Sequence, residues 1–455
     1  LGLAGAGLGA AAATVPIFHD IDEVLAAPNG SYQHPWWVKE RDFKNPTVEV
    51  DWKVLFKWDY DDPASGTDKG VNPRRFSFGD ATGWGLQESK ALFERENKAR
   101  NEFRDQKLKE GAPGYGLPDM ALVTGAGFLA YGRGLKSIPW ESTGVKSPDE
   151  RGVPKWSASP EEANRVLASA VHFFGGVNFG AVEIDPDVQK LFYTRRKRFE
   201  NVEKAYVDEN GQHVIPNNCR YALTLLVRQS KEMGKRGQSQ QRSTSFTMGY
   251  AHLPIIQNRM RRFVETLGYQ ALPFDGPCNT MNPLSGLGEL GRSNVIITPE
   301  YGGMVRTTIV LLTDLPLKPT KPIDAGIWKF CHTCGICHDA CIEFNNGVTP
   351  MSADKEPTWE TSGPWERVGL KKFSFNMPRC VDYCNMCTSS CPFSCKDAAF
   401  AHTLVKGIVG TTPIFNGLFA NMEKLFYDPW RDDEKFLGDW WDRDLRKYKW
   451  DTTLV

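Results

Sequence analysis

The chain has 455 residues, 55 of them basic and 55 acidic, with 14 Trp and 26 Phe. That length implies two or three domains and a substantial buried core. The balanced charge gives no electrostatic reason to bind nucleic acid or an acidic membrane surface, while the aromatic content suits either an apolar cavity or a large aromatic core.

Taken in chain order, the opening LGLAGAGLGAAAATVP is small, apolar and uncharged, too short to span a bilayer comfortably. It reads as the apolar part of an export signal with an A-x-A site near residues 11–13, so 1–13 is expected to be a signal remnant. Residues 14–158 are rich in Trp, Pro, Gly and charge, with HPWWVKERDF (34–43) and FSFGDATGWG (76–85) as loops anchored by aromatics. Within them, 88–110 predicts a charged, solvated surface helix. At residue 159 the character changes: Ser159-Pro160-Glu161-Glu162 starts a helix whose stripe is Ala163, Val166, Leu167, Ala170 and Val171. AVEID and YALTLLVRQ (221–229) read as strands, and 295–317 supplies two more. Residues 244–269 form a long amphipathic helix. This mixture predicts an α/β or α+β core over 159–320. KPIDAG (321–326) then leads into a cysteine-rich region to residue 400, followed by a helix and a Trp-rich tail over 401–455.

Eleven cysteines in an exported chain would suggest disulfides, yet only Cys219 and Cys278 lie outside residues 331–395. Eight of the remaining nine form two runs, with Cys395 just beyond the second. CHTCGICHDAC is C-x2-C-x2-C-x3-C, and CVDYCNMCTSSCP is C-x3-C-x2-C-x3-C-P. In two-cluster ferredoxins the fourth cysteine of each run ligates the cluster of the other. Carried over, one 4Fe–4S cluster takes Cys331, Cys334, Cys337 and Cys391, and the second takes Cys380, Cys384, Cys387 and Cys341. Thiolates are the soft ligands that such a cage requires; paired zinc knuckles usually stop at two cysteines each. Ile342 replaces the proline usual after the first run, and Cys395 is an alternative ligand to Cys380. His332 and His338 flank the first run without being needed as ligands. Export of a folded cluster protein favours the twin-arginine route, with an Arg-Arg pair expected upstream of Leu1. No convincing dinucleotide fingerprint is present, so motifs alone give an iron–sulfur oxidoreductase without its terminal centre.

The segment TPEYGGMVRTTIVLLTDLPLKPTKPIDAGIWKFCHTCGIC, the second cysteine run, GLGELGR (286–292), FFGGVNFGAVEI and HTLVKGIVGTTPIFNGLFANMEK together resemble the respiratory reductive dehalogenases of organohalide-respiring bacteria, chloroethene-reducing branch. The resemblance covers roughly 160–430. It implies a nitroreductase-like core binding a base-off corrinoid, with an inserted or appended ferredoxin-like module of two 4Fe–4S clusters. No D-x-H-x-x-G motif offers cobalt a protein ligand. Residue by residue, the resemblance makes Tyr250 the proton donor and Arg306 its basic neighbour, and places Asn279, with Asn282 as the alternative, near the halogen. Tyr250, Asn279, Gly286 and Gly288 would approach the corrinoid. Phe246, one helical turn before Tyr250, would line the substrate slot with Trp36, Trp37 and Trp365. A guanidinium beside a tyrosine favours the phenolate and so eases proton release. The expected partners are a small membrane-anchor subunit at the outer face of the cytoplasmic membrane and a larger respiratory complex, with a homodimer left open and no nucleic acid. Two rivals remain at this stage: the related epoxyqueuosine reductases, and an electron-transfer subunit with no substrate of its own.

Overall fold

YALTLLVR has no polar–apolar alternation except at Thr224, so it can be satisfied only by burial on both faces. The structure, a computed structural model, describes residues 34–55, 87–126, 138–192, 197–274, 278–307, 310–363, 366–380, 384–394, 400–426 and 430–442. In it this stretch is the central strand of an antiparallel sheet. The sheet contains β1 (Asn178–Glu183), β2 (Tyr221–Arg228), β3 (Ala271–Phe274), β4 (Val305–Arg306) and β5 (Val310–Thr313). β1 pairs with one edge of β2, β4 and β5 pair with the other, and β3 pairs with β5. The register of β4 on β2 is offset by one residue from that of β5, with Arg306 opposite Val227 and Val310 opposite Thr224. Such an offset turns the strand locally and re-aims its side chains.

The longer helices among the described residues are, in chain order, α1 (Gln87–Glu110), α2 (Leu117–Ala126), α3 (Pro160–Phe173), α4 (Gln240–Thr266), α5 (Cys278–Leu284), α6 (Ile327–Cys334), α7 (Ile336–Phe344), α8 (Phe400–Thr411) and α9 (Asn416–Phe426). The Ser159 hydroxyl accepts the Glu162 N–H and Pro160 opens α3, as the start signature requires. The stripe of α3 then meets Leu253, Ile256, Met260 and Val264 of α4 over Leu223, Leu225 and Val227 on one face of the sheet. On the other face Ala222, Leu272, Phe274 and Leu312 pack with Met281 and Leu284 of α5. Thr224, fully buried, is reconciled by bonding to the Gly180 carbonyl and to Ser285 Oγ. A Cβ at Gly180 would stand 2.7 Å from the Ser285 carbonyl oxygen, so only glycine lets β1 approach here.

α4 carries a proline at 254. The helical bond that residue 254 would donate to the Tyr250 carbonyl therefore does not form. Tyr250 thus sits at the one turn of α4 where the backbone ladder is interrupted.

The cysteine region joins this core through short pairings that the sequence did not announce. Lys39–Glu40 pairs with Ile323–Asp324, and Glu49–Val50 with Leu370–Lys371, so residues 34–55 strap the cysteine region. The α1 helix is largely exposed as expected, but Arg100 is buried, donating to Asn345 Oδ1 at 3.3 Å and lying 5.4 Å from the Phe344 ring. The solvated-helix expectation fails at that position because the cysteine region covers it. The segments 1–33, 56–86 and 443–455, hence the signal remnant and most of the aromatic tail, lie outside the described residues.

Leu167 is fully buried between α4 and the sheet. Leu167→Ala is expected to destabilise the protein by about 2–5 kcal/mol, read as a clear fall in the thermal unfolding midpoint.

Candidate functional site

Two side chains from different elements meet at the end of β2. Tyr250 comes from α4 and Arg306 from β4, and the Arg306 guanidinium lies 5.1 Å from the centre of the Tyr250 ring. Gly249 makes the approach possible: a Cβ there would stand 2.8 Å from Arg306 Cγ and 3.2 Å from Gln229 Cγ. Gln229, just past β2, is held by its Nε2 donating to the Val305 carbonyl at 2.6 Å.

Around these groups several buried polar atoms have no hydrogen-bond partner among the described residues: Gln229 Oε1, Thr244 Oγ1, Arg306 Nε and Asn385 Oδ1. Each such atom costs free energy unless something else satisfies it. A cavity of about 290 Å³ opens beside them, lined among others by Arg228, Gln229, Lys231, Lys235, Tyr301 and Met304.

The cysteines gather next to this locus. α6 and α7 meet at Gly335, whose φ of 71° permits the sharp turn between Cys334 and Cys337. Cys331, Cys334, Cys337 and Cys391 line one cavity together with Cys387. Burial pushes the Cys331 thiol up to about 12, with Cys334 next in effect; Cys334 is likewise pushed up to about 12, with Cys391 among its neighbours. Cys337 is raised well above the thiol range by burial, then by Cys334, Cys331, Cys387 and Cys391. Cys387 is pushed up to about 12 by burial, then by Cys384 and Cys341, against the opposing charge of Arg306. Such thiols lose their protons, to solvent, only when a strong Lewis acid in the cavity coordinates the sulfur. Cys391 of the second run thus lies near Cys334 and Cys337, and Cys387 lies near Cys337 of the first run as well as near Cys384 and Cys341.

A family model described as reductive dehalogenase subunit matches residues 33–198. The chain is 31% identical to a chloroethene reductive dehalogenase of Dehalococcoides mccartyi strain VS, over 93% of this chain and 92% of that one. The chain belongs to the reductive dehalogenase family. A trichloroethene reductive dehalogenase of a second strain of that species is 29% identical over 97% of this chain and 94% of its own. Among solved structures, a catabolic reductive dehalogenase superposes with a TM-score of 0.56 at 16% identity. A reductive dehalogenase whose structure suggests a mechanism for B12-dependent dehalogenation gives 0.55, also at 16%. Both comparisons cover 92% of this chain and 53% of the solved one, so the chain spans about half the length of those two proteins. At that identity the likeness is one of fold: a mixed α/β architecture.

In this reductive dehalogenase the sequence-selected residues divide. Tyr250, Arg306 and, a helical turn away, half-buried Phe246 fall together. Asn279 lies in α5, but its side chain is outside what the structure describes; its alternative, Asn282, is buried and donates Nδ2 to Thr307 Oγ1 at 2.9 Å, next to Arg306. Trp365 and Cys395 are outside the described residues, and Cys380 lies at the end of the short turn Met377–Arg379. Trp36 and Trp37 meet edge to face at 5.8 Å and pack on Gly407 and Gly410 of α8, so Trp37 anchors the N-terminal strap. Gly286 and Gly288 were expected to admit a cofactor. The space beside them is filled by the chain's own backbone: a Cβ would lie 2.2 Å from the Lys321 carbonyl oxygen and 2.5 Å from that of Ile297.

Sequence reading missed Gln229, Arg242, Glu289 and Arg292. Glu289 and Arg292 stand inside GLGELGR, where two charges in an otherwise apolar, Gly-rich stretch were the available signal. Both are buried.

Gly286 adopts a φ of 74° as well as touching Lys321. Gly286→Ala is expected to cost about 1–3 kcal/mol from strain alone, and to lower the thermal midpoint without changing the spectrum of any bound cofactor. Gly249→Val is expected to displace Arg306 from Tyr250 and to cut turnover at least about tenfold with little loss of fold, checked by activity and circular dichroism.

Proposed function

We propose that the chain is a corrinoid-dependent, iron–sulfur reductive dehalogenase that removes halide from a small halogenated hydrocarbon, a chlorinated ethene in the first instance. The observation that carries this reading is Arg306, held over Tyr250 on one side and within electrostatic reach of Cys387 on the other. Similarity to chloroethene and trichloroethene reductive dehalogenases along nearly the whole chain supports the substrate class.

The residues fit a corrinoid. Its rim of amide side chains offers donors and acceptors, and Gln229 Oε1, Thr244 Oγ1 and Asn385 Oδ1 are buried acceptors awaiting partners. These three would hold it, and the corrinoid would supply the low-valent cobalt reductant. The cysteines would hold two 4Fe–4S clusters, one on Cys331, Cys334, Cys337 and Cys391, which line a void together with Cys387, and one on Cys341, Cys380, Cys384 and Cys387. A nitroreductase-like core with a ferredoxin-like module describes this layout.

The protein's own part in the chemistry is the proton. Replacing chloride by hydrogen takes two electrons and one proton and releases one chloride. Tyr250 gives its phenolic proton to the carbon that loses chloride. The Arg306 guanidinium over the ring stabilises the phenolate left behind, and the proton is restored from solvent before the next turnover. Phe246 shields this exchange from bulk water, so the positive charge acts in a low-dielectric setting. Asn279 or Asn282 would orient the halogen end of the substrate.

Twin-arginine export and attachment to the outer face of the cytoplasmic membrane through a small anchor subunit complete the proposal. None of the described helices is long and apolar enough to cross a membrane.

The test is an anaerobic assay of reconstituted protein on a panel of chlorinated ethenes with reduced viologen as donor. Tyr250→Phe is expected to lower turnover by about 10²–10⁴-fold while cobalt and iron contents hold. Full activity in that variant would remove Tyr250 as donor, and purified protein with iron and sulfide but no corrinoid would sink the reading.

A further inference from the structure

The two thiol sets differ in the balance of charge buried around them. Beside the first set, Glu289 is fully buried, and its carboxylate accepts the backbone N–H groups of Ala325 at 2.7 Å, Ile327 at 3.1 Å and Trp328 at 3.1 Å. These are the opening residues of α6, the helix that carries Cys331 and Cys334. Thr47 adds a further hydrogen bond. Burial, then the nearby Asp324, pushes the Glu289 carboxyl up to about 7, while the hydrogen bonds it receives favour the charged form. Three residues on, Arg292 donates Nη2 to the Cys331 carbonyl at 2.8 Å and lies 4.1 Å from the Phe373 ring centre. One anion and one cation thus offset each other next to Cys331.

Beside the second set the balance is positive. Arg242, from the same helix as Tyr250, is buried and donates Nη1 to the Cys384 carbonyl at 2.6 Å, with its guanidinium 4.7 Å from the Phe344 ring. Arg100 reaches the same ring, and Arg306 acts on Cys387. Asp432 faces Arg242 and Tyr115 and offsets part of that charge, leaving Arg100 and Arg306 in excess. The sulfurs also receive side-chain hydrogen bonds: Asn345 Nδ2 to Cys341 Sγ at 3.3 Å, and Ser293 to Cys387.

Adding an electron to a cluster adds negative charge. Cations and sulfur hydrogen bonds raise its potential, and a buried carboxylate lowers it. Resting on the two-cluster reading, we propose that Glu289 and Arg242 set the clusters apart in potential, so that electrons run downhill from the Cys331 set to the Cys387 set. In the step, one electron leaves the first cluster, which is oxidised, and reduces the second; no bond or proton moves. A low-potential one-electron donor reduces the first cluster again. Both residues are positioning residues, touching the cysteine loops and not the substrate.

The experiment is an anaerobic redox titration at pH 8, followed by electron paramagnetic resonance, on full-length reconstituted protein. Two separate waves are expected in the unmodified protein. E289Q is expected to raise only the more negative one, by at least the equivalent of a tenfold change in the oxidised-to-reduced ratio, about 59 mV for one electron. R242Q is expected to lower only the other. Equal potentials in the unmodified protein, or variants that shift neither wave or both alike, would overturn the proposal. E289D and R242K keep the charge and are expected to keep the unmodified potentials, which holds the test open if a neutral variant loses iron. A charge-keeping variant that shifts its wave as far as the neutral one would also overturn it. Iron analysis separates this from the parent reading, since unmodified protein holding far fewer than about eight irons per chain would defeat the two-cluster assignment itself.

Discussion

One guanidinium connects the halves of this molecule. Arg306 stands at the end of a short strand, its stem in the space left by Gly249, its charge over the Tyr250 ring and within reach of Cys387. A cation so placed needs a rigid frame, since its attraction to either partner falls away quickly with distance. The frame is the sheet: β4 is fixed on β2 by pairing at Val305 and Arg306, and β2 is fixed by apolar layers on both faces. The site is thus built on strands and a long helix, with loops contributing little.

Buried polarity is the cost of this arrangement. Arg236, Arg242 and Arg261 are among the largest fully buried side chains, and each is anchored on carbonyl oxygens. A buried guanidinium is tolerable only when its donors are engaged. Here the carbonyls are those of Phe436 in the short helix Glu434–Gly438, of Cys384 in a loop and of Ala271 at the start of β3, so each arginine ties α4 or the turn before it to a distant segment while it is itself satisfied. The cysteine loops are held in this way from outside, by Arg292 at Cys331 and Arg242 at Cys384.

What the sequence made legible follows from range. Local signals succeeded: the capping serine at 159, the apolar run of 221–228, the long helix 244–269 (observed as Gln240–Thr266) and the spacing of the cysteines all act within a few residues. The Tyr250–Arg306 pair came from family resemblance, because 56 residues separate them and no periodicity links them. Long-range partners went unseen. Glu289 was invisible as a cap because it serves a helix that begins 38 residues later, and Gly286 and Gly288 were read as cofactor glycines because a close backbone approach looks the same in sequence whichever molecule approaches.

The strap has a consequence for how the protein is made. Strands of two residues are not stable alone, and Glu49–Val50 cannot pair until Leu370–Lys371 has been synthesised. The amino-terminal segment must wait for more than three hundred residues of chain, so native closure is a late, high-contact-order event.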